Sequence, residues 1–156
     1  MLPANPEERR FEDYPVGAMF AFGSVTVTQD EIVAFARQYD PQDMHTDPAL
    51  AAAGPHGGII ASGWHTMGVM MQMFATHYLP KNGLASPGID EVRWPRPVRP
   101  GDTLKVRVTV TEARRSRSKP DRGLVHAFVE VLNQNDEPVL TVRPMNLIRT
   151  RVQMNA

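Results

Sequence analysis

Residues 62–78 read SGWHTMGVMMQMFATHY. Trp64, Met67, Val69, Met70, Met71, Met73, Phe74 and Tyr78 cover most of a helical circumference, while His65, Gln72 and Thr76 form one narrow polar stripe. A helix apolar over most of its surface is expected to be buried. At 1.5 Å per residue the segment spans roughly 25 Å, enough to run through the middle of a small domain.

Downstream, the hydrophobic period changes to two. Leu104, Val106, Val108 and Val110 alternate with Thr103, Lys105, Arg107, Thr109 and Thr111. Leu124 to Leu132 is apolar on both faces and predicts a strand covered on both. Asn133 to Glu137 is a hairpin loop, and Val139 to Ile148 a further strand in which Pro144 implies an edge position or a bulge. Ile89 to Pro95 is a shorter strand. One long buried helix followed by an antiparallel sheet is an α+β layout, with the sheet wrapped around the helix.

Upstream, Ala18 to Thr28 has strand character and leads into a well-marked helix. Thr28 is the N-cap, Glu31 completes a capping box, and Ile32, Phe35, Ala36 and Tyr39 share one face. Pro41 disfavours helical geometry at Asp40, so the helix ends there. A second short helix starts at Asp47 as N-cap, with Pro48 first and Gly54 at the stop. Gln42 to Thr46, including His45, is then a connector pinned at both ends, and Gly54 to Gly58 (GPHGG) is a glycine-rich turn.

With 156 residues the chain suits one domain, 1–156, with 1–15 as a loosely attached N-terminal arm. No stretch approaches the ~18 apolar residues of a membrane span, and the polar N-terminus has no signal-peptide core. The absence of cysteine excludes disulfides, thiolate metal sites and a cysteine nucleophile, and fits a cytoplasmic location. A net charge of +0 gives no global attraction to nucleic acid or anionic lipid, so neither is expected as a partner.

Three blocks carry the chemistry. They are Phe35-Ala-Arg-Gln-Tyr-Asp-Pro-Gln-Asp-Met-His-Thr-Asp47, Gly58-Ile-Ile-Ala-Ser-Gly-Trp-His-Thr-Met67 and Val92-Arg-Trp-Pro-Arg-Pro-Val-Arg-Pro-Gly-Asp-Thr-Leu104. In this order and spacing the chain resembles the MaoC-like acyl dehydratases and (R)-specific enoyl-CoA hydratases, from about Phe11 to Arg151. The resemblance implies a hot-dog fold in which a helical overhang carries the active site. It implies a hydro-lyase that adds water to a 2-enoyl-CoA or removes it from a 3-hydroxyacyl-CoA, with Asp40 and His45 as the catalytic pair. By the same resemblance the Gly63 N–H serves as oxyanion donor, the hydration product is the (R) isomer, and family members commonly pair two such domains. A homodimer or larger even oligomer is therefore expected. CoA is part of the substrate, and no other cofactor is expected.

Those residue types suit the reaction. Water is a poor nucleophile, so a base must take its proton as it attacks C3. A pKa not far below neutrality suits that base; His has one unperturbed and a partly buried Asp can reach it. The first turn of a helix has free N–H groups and a positive dipole end for the charge gathering on the thioester oxygen, and glycine permits close approach. Substrate contacts are expected among Gln42, Ser62, Trp64, Arg93 and Trp94. They are also expected at Arg115 and Arg117 of the basic hairpin loop Ala113 to Arg122, which suits the CoA phosphates. Arg96 and Arg99 are open alternatives.

Asp43 departs from the family, where many members have proline, and is expected to face solvent. A metal site at His45, His56 and His65 is not expected, since no metal-ligand spacing such as HExxH is present. Two other functions share the fold. One is a thioesterase, disfavoured because no Asp or Glu lies between Ser62 and Tyr78; the other is a non-catalytic acyl-CoA-binding subunit, which has no use for an acid/base pair.

Overall fold

A computed structural model describes residues 1–151; positions 152–156 of the expected domain lie outside the described residues. Two 3-10 turns (Pro6–Glu8 and Phe11–Asp13) precede β1 (Met19–Thr26), α1 (Gln29–Tyr39), α2 (Asp43–Thr46), α3 (Pro48–Ala53) and α4 (Gly63–His77). Then follow β2 (Ala85–Arg93), β3 (Thr103–Arg115), β4 (Arg122–Leu132) and β5 (Pro138–Arg149). The strands make one antiparallel sheet in the order β1-β3-β4-β5-β2. α4 lies against β1, β3 and β5, and α1 to α3 form the overhang at its N-terminal end. This is the α+β hot-dog arrangement.

The alternation in β3 places Leu104, Val106, Val108 and Val110 at no more than 1% exposure. Val125, Val129 and Val131 of β4 and Val139, Val142 and Ile148 of β5 continue that layer. Met70, Met73 and Phe74 of α4 pack onto it. Gly23 in β1 has φ +83 beside a register shift, and the Met73 side chain occupies the place a Cβ would take. Any other residue there is strained by that φ, and its Cβ would require the Met73 thioether to move.

Three expectations are corrected. α4 is buried on one side only: Thr66, Met70, Met73 and Phe74 are buried, while Trp64 is 60% and Met71 46% exposed. One sheet layer covers one side of a cylinder, and the opposite apolar side stays open in a single chain. Likewise β4 is covered on one face; Leu124, His126, Phe128 and Glu130 on the other are half-buried. The Arg143 guanidinium lies 4.7 Å from the Phe128 ring centroid and gives it partial cover.

Of the two positions that Pro144 implies, an edge or a bulge, the structure shows the second, in an interior strand. The proline pairs with Ile89 next to a register shift between Ile89 and Val92, so its missing N–H falls where the ladder is already irregular. Finally, the arm 1–15 is not loose. Tyr14 is 1% exposed and donates its hydroxyl to the Tyr78 carbonyl at 2.6 Å, and Arg9 donates to the carbonyls of Pro3 and Leu79. The arm satisfies carbonyls that the end of a helix leaves free.

Candidate active site

The overhang folds by its caps. Thr28 and Glu31 exchange the two hydrogen bonds of a capping box, and Asp40 closes α1 with its N–H on the Ala36 carbonyl at 2.9 Å. Its φ of −151° and ψ of 69° before Pro41 lie outside helical geometry, so the helix stops at Asp40. Asp47 caps α3 by accepting from the N–H groups of Ala49 and Leu50, with Pro48 first and Gly54 at the end. The intervening segment is more than a connector. It winds into the single turn α2, in which the Gln42 carbonyl accepts from the His45 N–H at 2.9 Å and the Thr46 hydroxyl at 3.1 Å. Asp43 is exposed there, as expected.

Residues 59–61 lock this turn to the rest of the molecule. The Ile60 N–H donates to Met44 and the Ala61 N–H to Val98. The Ile60 carbonyl accepts from His45 Nδ1 at 2.7 Å. A carbonyl only accepts, so Nδ1 carries the hydrogen, and in the neutral ring Nε2 keeps its lone pair. His45 is 4% exposed, and its Nε2 lies 3.4 Å from Asp40 Oδ2.

Asp40 is itself held from two sides. Ser62 Oγ donates to Oδ2 and Gln42 Nε2 to Oδ1, each at 2.7 Å. The Ser62 bond, then the Gln42 bond, and more weakly His45 hold the Asp40 carboxyl below the usual carboxylate range, against the upward push of partial burial. Asp40 is therefore an anion at neutral pH, and the raised pKa that partial burial alone would give it does not occur.

The pair opens on a cleft of about 370 Å³, walled by Met44, Gly63, Trp64, Trp94, Arg96 and Val98. Gly63 is the first residue of α4, so its N–H has no acceptor within the helix. Gln42, Gly63, Trp64 and Trp94 thus come together around Asp40 and His45.

Other expected contacts do not reach the cleft as substrate ligands. Ser62 is 0% exposed; its hydroxyl donates to Asp40 and accepts from the Trp64 N–H at 3.3 Å, so it braces the carboxylate and caps α4. Arg93 points to solvent beside Glu91, and Arg96, three residues on, takes the cleft wall. Arg99 is used on backbone: it donates to the carbonyls of His56 and Gly58 and ties down the glycine-rich turn. Arg115 bonds Glu12 at 2.6 Å and lies near the Phe11 ring, and Arg117 follows it into the β3–β4 hairpin. From Lys105, opposite Leu132, to Arg115, opposite Gly123, β3 runs about 33 Å. The basic hairpin is therefore at the wrong end of the sheet to meet the cleft of the same chain.

The Ile60 carbonyl and the bracing role of Ser62 were missed in the sequence. A backbone acceptor has no side-chain signature, and a serine before a helix reads first as a cap.

Residues 13–130 match the family described as MaoC like domain. The chain belongs to that family. The MaoC-like dehydratase of Rhodospirillum rubrum superimposes with a TM-score of 0.85 at 36% identity, over 91% of this chain and 97% of that one. The 3-hydroxyacyl-thioester dehydratase Z of Mycobacterium tuberculosis is 41% identical over 84 residues, 52% of this chain and 56% of that protein. The match thus spans about half of that relative's length. The (R)-hydratase PhaJ1 of Pseudomonas aeruginosa shares the fold at a TM-score of 0.72 and 24% identity, over 90% of this chain and 85% of that one. Among the described residues of this MaoC-like chain, no helix is long and apolar enough to cross a membrane.

Proposed function

We propose that this MaoC-like chain is a hydro-lyase that interconverts a 2-enoyl-CoA and an (R)-3-hydroxyacyl-CoA, with Asp40 and His45 as its proton-handling pair. The observation that carries the reading is the pair itself: two acceptors, an imidazole Nε2 and a carboxylate oxygen, 3.4 Å apart at the wall of a cleft.

A water beside them donates one hydrogen to each and turns a lone pair toward C3. As the C3–O bond forms, the π electrons move toward the thioester, and the carbonyl oxygen gathers charge against the Gly63 N–H. The water proton passes to Nε2, because the bonds from Ser62 and Gln42 make Asp40 a weak base. The carboxylate then stabilises the imidazolium. That proton is delivered to C2, so one water is added and the pair returns to its starting state. Dehydration runs the same steps backward.

The test is loss of conjugated absorbance when purified protein meets a short trans-2-enoyl-CoA. Asp40→Asn and His45→Gln are each expected to lower the rate by about 10²–10⁴-fold while the unfolding midpoint stays near that of the parent. Folded variants with full activity defeat the assignment.

The same reading includes self-association. β2 is an edge strand with Ile89 47% exposed, and the open side of α4 presents Trp64 and Met71. A second copy of the chain is the partner we assign to this surface, with CoA near the subunit boundary. Sedimentation is expected to give an even multiple of 17.4 kDa; a monomer mass contradicts it.

A further inference from the structure

We propose that Trp94 is a positioning residue that clamps the first turn of α4, and that residue 63 is glycine because the Trp94 indole stands where its side chain would be. The catalytic consequence rests on the hydratase reading; the clamp itself does not.

Trp94 follows the last residue of β2 and precedes Pro95, so its backbone is set by the edge strand on one side and a fixed φ on the other. Its indole N–H donates to the Gly63 carbonyl at 3.1 Å. A Cβ built on Gly63 would lie 2.5 Å from Cε2 and 2.6 Å from Nε1 of that ring, well inside van der Waals contact. Trp64 meets the same indole edge-on, with ring centroids 5.8 Å apart and planes at 70°.

Residue 63 is thus held from both sides. The peptide unit after it is fixed by Trp94 on the Gly63 carbonyl and by Ser62 Oγ on the Trp64 N–H, and the unit before it by the Ser62 carbonyl, which accepts from the N–H groups of His65 and Thr66. Fixing the peptide planes around a residue fixes the direction of its own N–H. Trp94, together with the helix bonds on the Ser62 carbonyl, therefore aims the Gly63 donor into the cleft without touching the reacting atoms.

Sequence reading gives a different reason for the glycine, namely close approach of the thioester. The two reasons part in a double-mutant cycle read by urea unfolding without substrate. Gly63→Ala alone is expected to lower the unfolding midpoint, because the methyl group meets a held ring. In a Trp94→Ala background, or Trp94→Leu should the alanine variant not fold, the same Gly63→Ala change is expected to cost little. Strictly additive effects overturn the clamp.

Trp94→Phe keeps a ring and removes the donor. It is expected to lower kcat on a short trans-2-enoyl-CoA about five-fold, the rate equivalent of one net hydrogen bond, with KM within about two-fold. Unchanged kcat, or a change confined to KM, overturns the positioning role. If the parent protein hydrates no enoyl thioester while the unfolding coupling persists, the hydratase reading and the catalytic role fall, and the clamp stands.

Discussion

At the C-terminal end of α4, the Tyr78 carbonyl accepts from Tyr14, the Leu79 carbonyl accepts from Arg9, and the Tyr78 ring packs on Phe74, Tyr14 and Phe20 with centroids 4.6, 5.0 and 5.7 Å away. At the N-terminal end, Ser62 uses its hydroxyl on Asp40 and Trp64, and Gly63, whose N–H has no acceptor within the helix, lines a cleft. A helix leaves free donors at its start and free acceptors at its finish. This chain consumes the acceptors in packing, and on the proposed hydratase reading it keeps the Gly63 donor for the thioester. On that reading, one end of a single element serves the fold and the other the proposed chemistry.

The largest effect that separates the ends is expected from Phe74→Ala. Phe74 is 2% exposed and stacks on Tyr78, so its removal should cost about 3–5 kcal/mol in urea unfolding. A cost below about 1 kcal/mol would show that the C-terminal end is not where the fold is held. Ser62→Ala comes next and acts at the other end. Loss of a hydrogen bond to a charged group is worth about 1.5–3 kcal/mol, or roughly 10- to 100-fold in rate if felt in the transition state.

Its pH signature has a definite sign. The folded Asp40 pKa lies below its unfolded value, so the stability it contributes is present above the ordinary carboxylate range and is lost as pH falls through the folded value. Without the Ser62 hydroxyl, the largest cause of the depression is gone and the folded pKa rises. The acid limb of stability should shrink and move to higher pH in the variant. An unmoved acid limb would remove Ser62 from the account of Asp40.

Much of this division is visible in the sequence, because it depends on local signals. Thr28 with Glu31, Asp40 with Pro41, and Asp47 with Pro48 mark the helix ends through short-range hydrogen bonds and fixed dihedrals. The period of two in β3 selects its buried face. What escaped the sequence needed the third dimension. The arm was read as loose because nothing local says that Tyr14 reaches a carbonyl 64 residues away. Arg115 looked available for phosphate because its partner Glu12 is distant in sequence. The burial of α4 was overestimated because periodicity reports which faces are apolar, not how many layers exist to cover them. Pro144 implies an edge or a bulge because a missing N–H is intolerable in a regular ladder; the choice between them needs the strand order, and the irregularity opposite Ile89 is the one the fold uses.

The smallest expected effects are a pair of opposite sign at the sealed end. Tyr14 and Tyr78 are both 1% exposed, but only the Tyr14 hydroxyl has a partner; that of Tyr78 has none among the described residues. Burial without a partner costs free energy, whereas a buried bond repays it. Tyr14→Phe is therefore expected to destabilise by about 1 kcal/mol, and Tyr78→Phe to be neutral or to stabilise by up to about 1 kcal/mol. Neither should alter turnover, since both lie a helix length from the cleft. If Tyr78→Phe destabilised as much as Tyr14→Phe, the Tyr78 hydroxyl would have a partner in solution. The C-terminal end of α4 would then contain a polar group serving something other than the core.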